Sequence, residues 1–244
     1  MGLAASGVGS APLILGIGLV LGLKHALDAD HLAAVSTIVS ESRSLAKSAV
    51  IGALWGLGHT IALLVAGVAM LLLHVQIGAR VQLALEFCVA LMLIGLGANA
   101  LGKLARGGHL HLHAHEHHGY VHIHPHLHDA APAPTAHAHH GLQPGLRPLL
   151  VGMVHGLAGS AAVMLLVLST LPSRLLGLVY IAAFGIGSIG GMLFMSTVIA
   201  LPAWLTATRF RRVHVAVRTA AGVLSLGIGL FMAYEIGIVG GLLL

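Results

Sequence analysis

Six stretches of this chain are apolar for longer than a strand or an ordinary buried helix requires: Ala11–Val39, Ser48–His74, Val81–Leu104, Leu149–Leu171, Leu175–Leu201 and Val215–Leu243. A helix of about 20 such residues crosses a hydrocarbon core of roughly 30 Å. A water-soluble fold fails on charge, since 8% of the residues are charged and 57% hydrophobic, against about 25% charged in a soluble domain. The expected fold is all-α, a polytopic membrane bundle of six transmembrane helices, because in lipid a helix satisfies its own backbone groups. The first stretch is longer than one crossing needs and has a polar centre, so a tilted or broken helix is expected there. Pro172 and Pro202 stand near the ends of the fourth and fifth stretches, where proline stops a helix.

The two halves resemble each other. Gly22-Leu23-Lys24-His25-Ala26-Leu27 aligns with Gly152-Met153-Val154-His155-Gly156-Leu157, and Trp55-Gly56-Leu57-Gly58-His59 with Phe184-Gly185-Ile186-Gly187-Ser188. A weaker match joins Gly95-Leu96-Gly97 to Gly227-Ile228-Gly229. Three spans per half is an odd number, so the second half enters the membrane from the opposite side, the inverted-repeat plan of many secondary transporters. Gly18 and Gly22, Gly52 and Gly56, and Gly187 and Gly191 each lie four apart on one helix face, where small residues let helix backbones approach closely.

The basic residues lie between the apolar stretches and form no basic face, which argues against nucleic acid as a partner. They set orientation instead: Arg80 and Arg174 fall on one side, while Arg43, Lys47, Lys103, Arg106, Arg147, Arg209, Arg211, Arg212 and Arg218 fall on the other. Positively charged loops stay cytoplasmic, so both termini are expected outside. Residues 107–147 then form a cytoplasmic loop between the repeats 1–106 and 148–244, and this loop holds most of the chain's 19 histidines. Such a composition builds no apolar core and is expected to be disordered. Cys88 stands alone in an apolar run, which excludes an intrachain disulfide and a CxxC metal site.

Chemistry concentrates in the first span, at His25-Ala26-Leu27-Asp28-Ala29-Asp30-His31. Ionisable groups in lipid cost a few kcal/mol each on insertion scales and persist where they pair, line a watery path or bind an ion. Imidazoles with carboxylates suit a divalent transition metal. On an unbroken helix turning 100° per residue, His25, Asp28 and His31 share a face and Asp30 points away. Either Asp30 then supports the site from a distance, or the helix is broken. A Lys24–Asp28 ion pair four residues apart is the structural alternative. His59 in the second span and His155, the repeat partner of His25, complete the candidate metal set. Glu86 and Glu235 read as interfacial.

The run Leu23 to Leu32, with its His25-x4-Asp30-His31 spacing, resembles the signature of the nickel/cobalt transporter family (NiCoT, or NicO). Leu57-Gly58-His59-Thr60 is similar to that family's second motif, and His155 to Ala162 to a motif of its NicO or urease-accessory-like branch. The resemblance implies that His25, Asp30 and His31 bind metal, with Asp28 and His59 supporting them. It implies a multi-pass protein of a prokaryotic cytoplasmic membrane that transports nickel or cobalt as cargo, needs no cofactor and is not an enzyme. Uptake is favoured over efflux, although efflux members also carry a His-rich loop. Better-known members have eight spans with the motif in the second, and here it is in the first.

No G-x-x-x-x-G-K-[ST] run is present, so no ATP site is expected in the chain. Two other functions stay open: an intramembrane metalloenzyme, for which the His-Glu-x-x-His motif is missing, and an accessory protein passing metal to a metallochaperone or a maturing enzyme such as urease. Oligomeric state is not legible.

Overall fold

In the computed structural model the described residues are 6–40, 42, 44–73, 78–106, 110–117, 120–127, 146–158, 171, 173–206 and 211–243. Helices α1 (Ser6–His25), α2 (Ala29–Val39), α3 (Leu45–Leu73) and α4 (Ala79–Ala105) precede a hairpin of β1 (Leu110–His117) and β2 (Tyr120–Leu127). Then follow α5 (Leu146–Ala158), α6 (Arg174–Thr206) and α7 (Arg211–Tyr234), the last continued by a π-helical turn over Glu235–Val239. Among the described residues four helices are long and apolar enough to cross a membrane: Leu45–Met70, Ala79–Ala105, Arg174–Thr206 and Arg212–Val239. The pair Pro12–His25 and Ala29–Val39, bent by 58°, makes a fifth crossing if it counts as one span. The fourth expected span is described only as α5, which is too short to cross alone, and residues 159–170 lie outside the described set, as do Pro172, Arg43 and Arg209.

Polarity is arranged as in a membrane protein. Leu175, Leu13, Val65, Phe194 and Phe231 are more than 60% exposed, whereas His31, His59 and His155 are buried. Large apolar side chains facing outward suit lipid and would be a liability in water. The hydroxyls of Ser36, Thr37 and Ser40 turn back to the carbonyls of Ala33, Ala34 and Thr37, which keeps them satisfied without water.

Glycine decides how the long helices meet. A Cβ at Gly22 would run into the backbone of Phe184 on α6, and one at Gly152 on α5 would run into the backbone of Trp55 on α3. Gly187 is pressed against Leu19, as Gly58 is against Leu149; Gly56 faces Ile189, as Gly185 faces Thr60. Gly97 meets Gly222 and Leu226 on α7, while Gly229 meets Ala90 and Ile94 on α4. These contacts make α1 run alongside α6 in the same direction, α5 alongside α3 in the same direction, and α4 antiparallel to α7. They also pair positions that the sequence alignment of the halves had matched.

Two expectations change. Pro202 does not end α6, which runs on to Thr206; proline inside a membrane helix is tolerated where neighbouring groups compensate. Composition alone pointed to disorder in the His-rich segment, yet its described part is an antiparallel hairpin. Its register sets His111 opposite His126, His113 opposite His124 and His115 opposite His122.

Candidate metal centre

The bend in the first span builds the centre. After Gly22 the α-helical bonding tightens: the amides of Leu27 and Asp28 bond to the carbonyls of Lys24 and His25, three residues back. Asp28 is extended (φ −61°, ψ 146°) and occupies the N-cap of α2, a position that aspartate favours. Its side chain makes no cap bond and instead accepts from His25 Nδ1 at 2.7 Å. The Lys24–Asp28 alternative thus gives way to a His25–Asp28 pair. Asp30 falls in the first turn of α2, where the positive end of the helix dipole favours a carboxylate.

The break also reverses the helical-wheel expectation. Asp28 is half exposed and pairs with His25, whereas Asp30 joins the two halves of the chain. Its Oδ1 accepts from the His31 backbone amide at 2.9 Å and from His31 Nδ1 at 3.0 Å. Its Oδ2 accepts from His155 Nε2 at 2.9 Å. Since a carboxylate only accepts, these contacts place the imidazole protons on Nδ1 of His25, Nδ1 of His31 and Nε2 of His155. The lone pairs then sit on His25 Nε2, His31 Nε2 and His155 Nδ1. All three nitrogens are buried without a hydrogen-bond partner, as are both nitrogens of His59. A carboxylate behind an imidazole is the usual outer support of a metal-ligating histidine.

All six expected residues, His25, Asp28, Asp30, His31, His59 and His155, therefore come together. The His31 ring lies 4.4 Å from that of His25, 5.3 Å from that of His59 and 4.0 Å from that of His155. Two groups of donors each fall within 4.8 Å of one another: His25, His31 and His59, and Asp30, His31 and His155. Orphaned buried polar atoms are expensive and rare, and so many in one place suit a ligand of the type imidazole prefers, such as nickel, zinc or copper.

Two aromatic neighbours were not singled out by the sequence. Trp55 stacks on His31 at 5.6 Å and meets His155 edge-on at 5.6 Å, while Phe184 lies 5.6 Å from His25. Trp55 and Phe184 head the matched motifs of the two halves, and that pairing was the available signal. Glu86 takes no part in the centre; it accepts from Gln82 at 3.2 Å along α4.

Comparison with known proteins gives two relatives. The urease accessory protein UreH of Bacillus sp. (strain TB-90) is 39% identical over 94% of this chain and 94% of its own length. The chloroplast protein FOR GROWTH AND FERTILITY 2 of Arabidopsis thaliana is 27% identical over 87% of this chain and 54% of its own length. No protein-family profile matches the chain, and no solved structure matches it.

Proposed function

The chain belongs to the family of the urease accessory protein UreH, and on that footing we propose that it carries nickel or cobalt across a membrane as cargo. The observation that carries the reading is the Asp30–His155 bond, which links residues 125 apart in sequence and closes a histidine cluster between the halves of an apolar bundle. Secondary transporters bind their cargo in this way, near the midplane, where two repeats meet and a helix is broken. The role is not enzymatic, in keeping with the relative's name as an accessory protein.

Six helices in two inverted three-helix repeats account best for the packing. Gly22 on Phe184 and Gly152 on Trp55 are the same contact in each half, and so are Gly187 on Leu19 and Gly58 on Leu149. On this plan both termini are outside, the hairpin is cytoplasmic, and the membrane is the cell's cytoplasmic membrane. Import is the proposed direction, supplying metal to a maturation partner. Nickel content of cells expressing the wild type or Asp30→Asn, at matched membrane levels, tests it. Higher content with the wild type alone is expected; lower content with the wild type alone would mean export, and no difference would remove Asp30 from the path.

A second reading, delivery of metal to a urease-type partner without transport, is favoured only by the relative's name. The His-rich hairpin fits either reading as a metal buffer. Neutral imidazole binds metal, so its retention of nickel is expected to fall as pH drops through about 6.5. Deleting residues 107–145 should lower the nickel retained by purified protein while leaving nickel entry into vesicles intact. Loss of entry by a folded deletion variant would contradict a buffering role.

A further inference from the structure

Every donor in the cluster is within reach of His31, yet the donors divide. His25 and His59 group with it as imidazole donors, and Asp30 and His155 group with it as a carboxylate and an imidazole. We propose that the cluster is two overlapping metal stations that share His31, one all-imidazole (His25, His31, His59) and one containing a carboxylate (Asp30, His31, His155). Passage of the ion between them rests on the transport reading above; the existence of two stations does not.

Different aromatic rings adjoin the two groups: Phe184 lies beside His25 of the first, and Trp55 beside His31 and His155 of the second.

The hydrogen bonds give the stations different characters. In the first, His25 and His31 present unpartnered buried Nε2 atoms, since their Nδ1 atoms are occupied by Asp28 and Asp30, and His59 presents two unpartnered nitrogens. In the second, both Asp30 oxygens are engaged by His31 and His155. An ion can enter there only as those bonds open. An ion held by His31 and its two imidazole partners can thus exchange His25 and His59 for Asp30 and His155 while one protein ligand stays bound.

The test uses purified protein, full-length for nickel entry and lacking residues 107–145 for binding, with nickel as the probe, equilibrium dialysis for stoichiometry and X-ray absorption for ligand type. Wild type is expected to bind a single ion at the cluster, measured with residues 107–145 deleted so that the hairpin contributes nothing. In that background His59→Ala should still bind one ion with two imidazole ligands, and His155→Ala one ion with three, counted from the multiple scattering of the imidazole rings. Both variants should lose nickel entry into vesicles. His59→Asn and His155→Asn replace them if an alanine variant does not fold. Loss of all binding in either folded variant would mean one undivided site, and two ions bound at once in the wild type would mean that His31 is not shared; either result overturns the proposal. Binding that divides as expected, with no entry even by the wild type, supports the two stations and overturns transport.

Discussion

Replacing His31 with alanine is expected to reduce nickel entry into vesicles to that of protein-free vesicles. The cluster should lose its bound ion at the same time. The expected loss exceeds the roughly 10- to 100-fold that removing an outer-shell partner of a metal ligand costs. His31 belongs to both donor groups, receives the support of Asp30 through its ring and its amide, and stacks on Trp55. No other residue of the cluster has all these contacts. His31→Ala removes a buried imidazole from a site where several polar atoms already lack partners, so the bundle itself is expected to survive. Elution of the variant as a monodisperse species beside the wild type checks that point. Wild-type nickel entry by a folded His31→Ala protein would remove the cluster from the path.

The second large effect concerns assembly of the bundle. Gly22→Ala and Gly152→Ala each place a methyl group against the backbone of a neighbouring helix, at Phe184 and Trp55 respectively. Backbone cannot move aside as a flexible side chain can. Overpacking of this kind costs about 1–3 kcal/mol and occasionally more, and each contact also sets the position of a ring that adjoins the metal donors. Both variants should show lower thermal stability in detergent, by similar amounts, because the contacts are alike. Gly95→Ala is the control, since its Cβ would meet nothing within 4 Å; it should melt with the wild type. Equal stability of all three variants would show that these glycines do not set the helix spacing.

Much of this arrangement was legible in the sequence because lipid leaves few options. Apolar length marked the long helices, and polar residues inside them marked the cluster, since only function or pairing retains such groups there. His155 was found through its match to His25 and not through any acidic neighbour. Which of Asp28 and Asp30 faces the cluster was not legible, because the sequence left open whether the first helix is broken. A wheel of 100° per residue groups His25, Asp28 and His31, but the 58° bend turns Asp30 inward and leaves Asp28 half exposed. Bend angle depends on how α2 packs against α4, α6 and α7, which local sequence does not encode.

The hairpin illustrates a different limit. Histidine at every second position from 111 to 117 and from 122 to 126 is a strand-like alternation, but composition drew attention first. Trp55 and Phe184 stood in matched motifs, yet their nearness to the imidazoles depends on how α3 and α6 meet through glycine. Register between helices, more than the helices themselves, was the hidden quantity.

Transport is the central claim, and nickel entry into sealed vesicles containing only the purified wild-type protein tests it most directly, with a nickel-quenched dye trapped inside. Quenching above that of protein-free vesicles, lost in His31→Ala, is the expected result. Nickel bound by the wild-type protein with no quenching above protein-free vesicles would contradict transport and leave the chain a membrane metal-delivery protein.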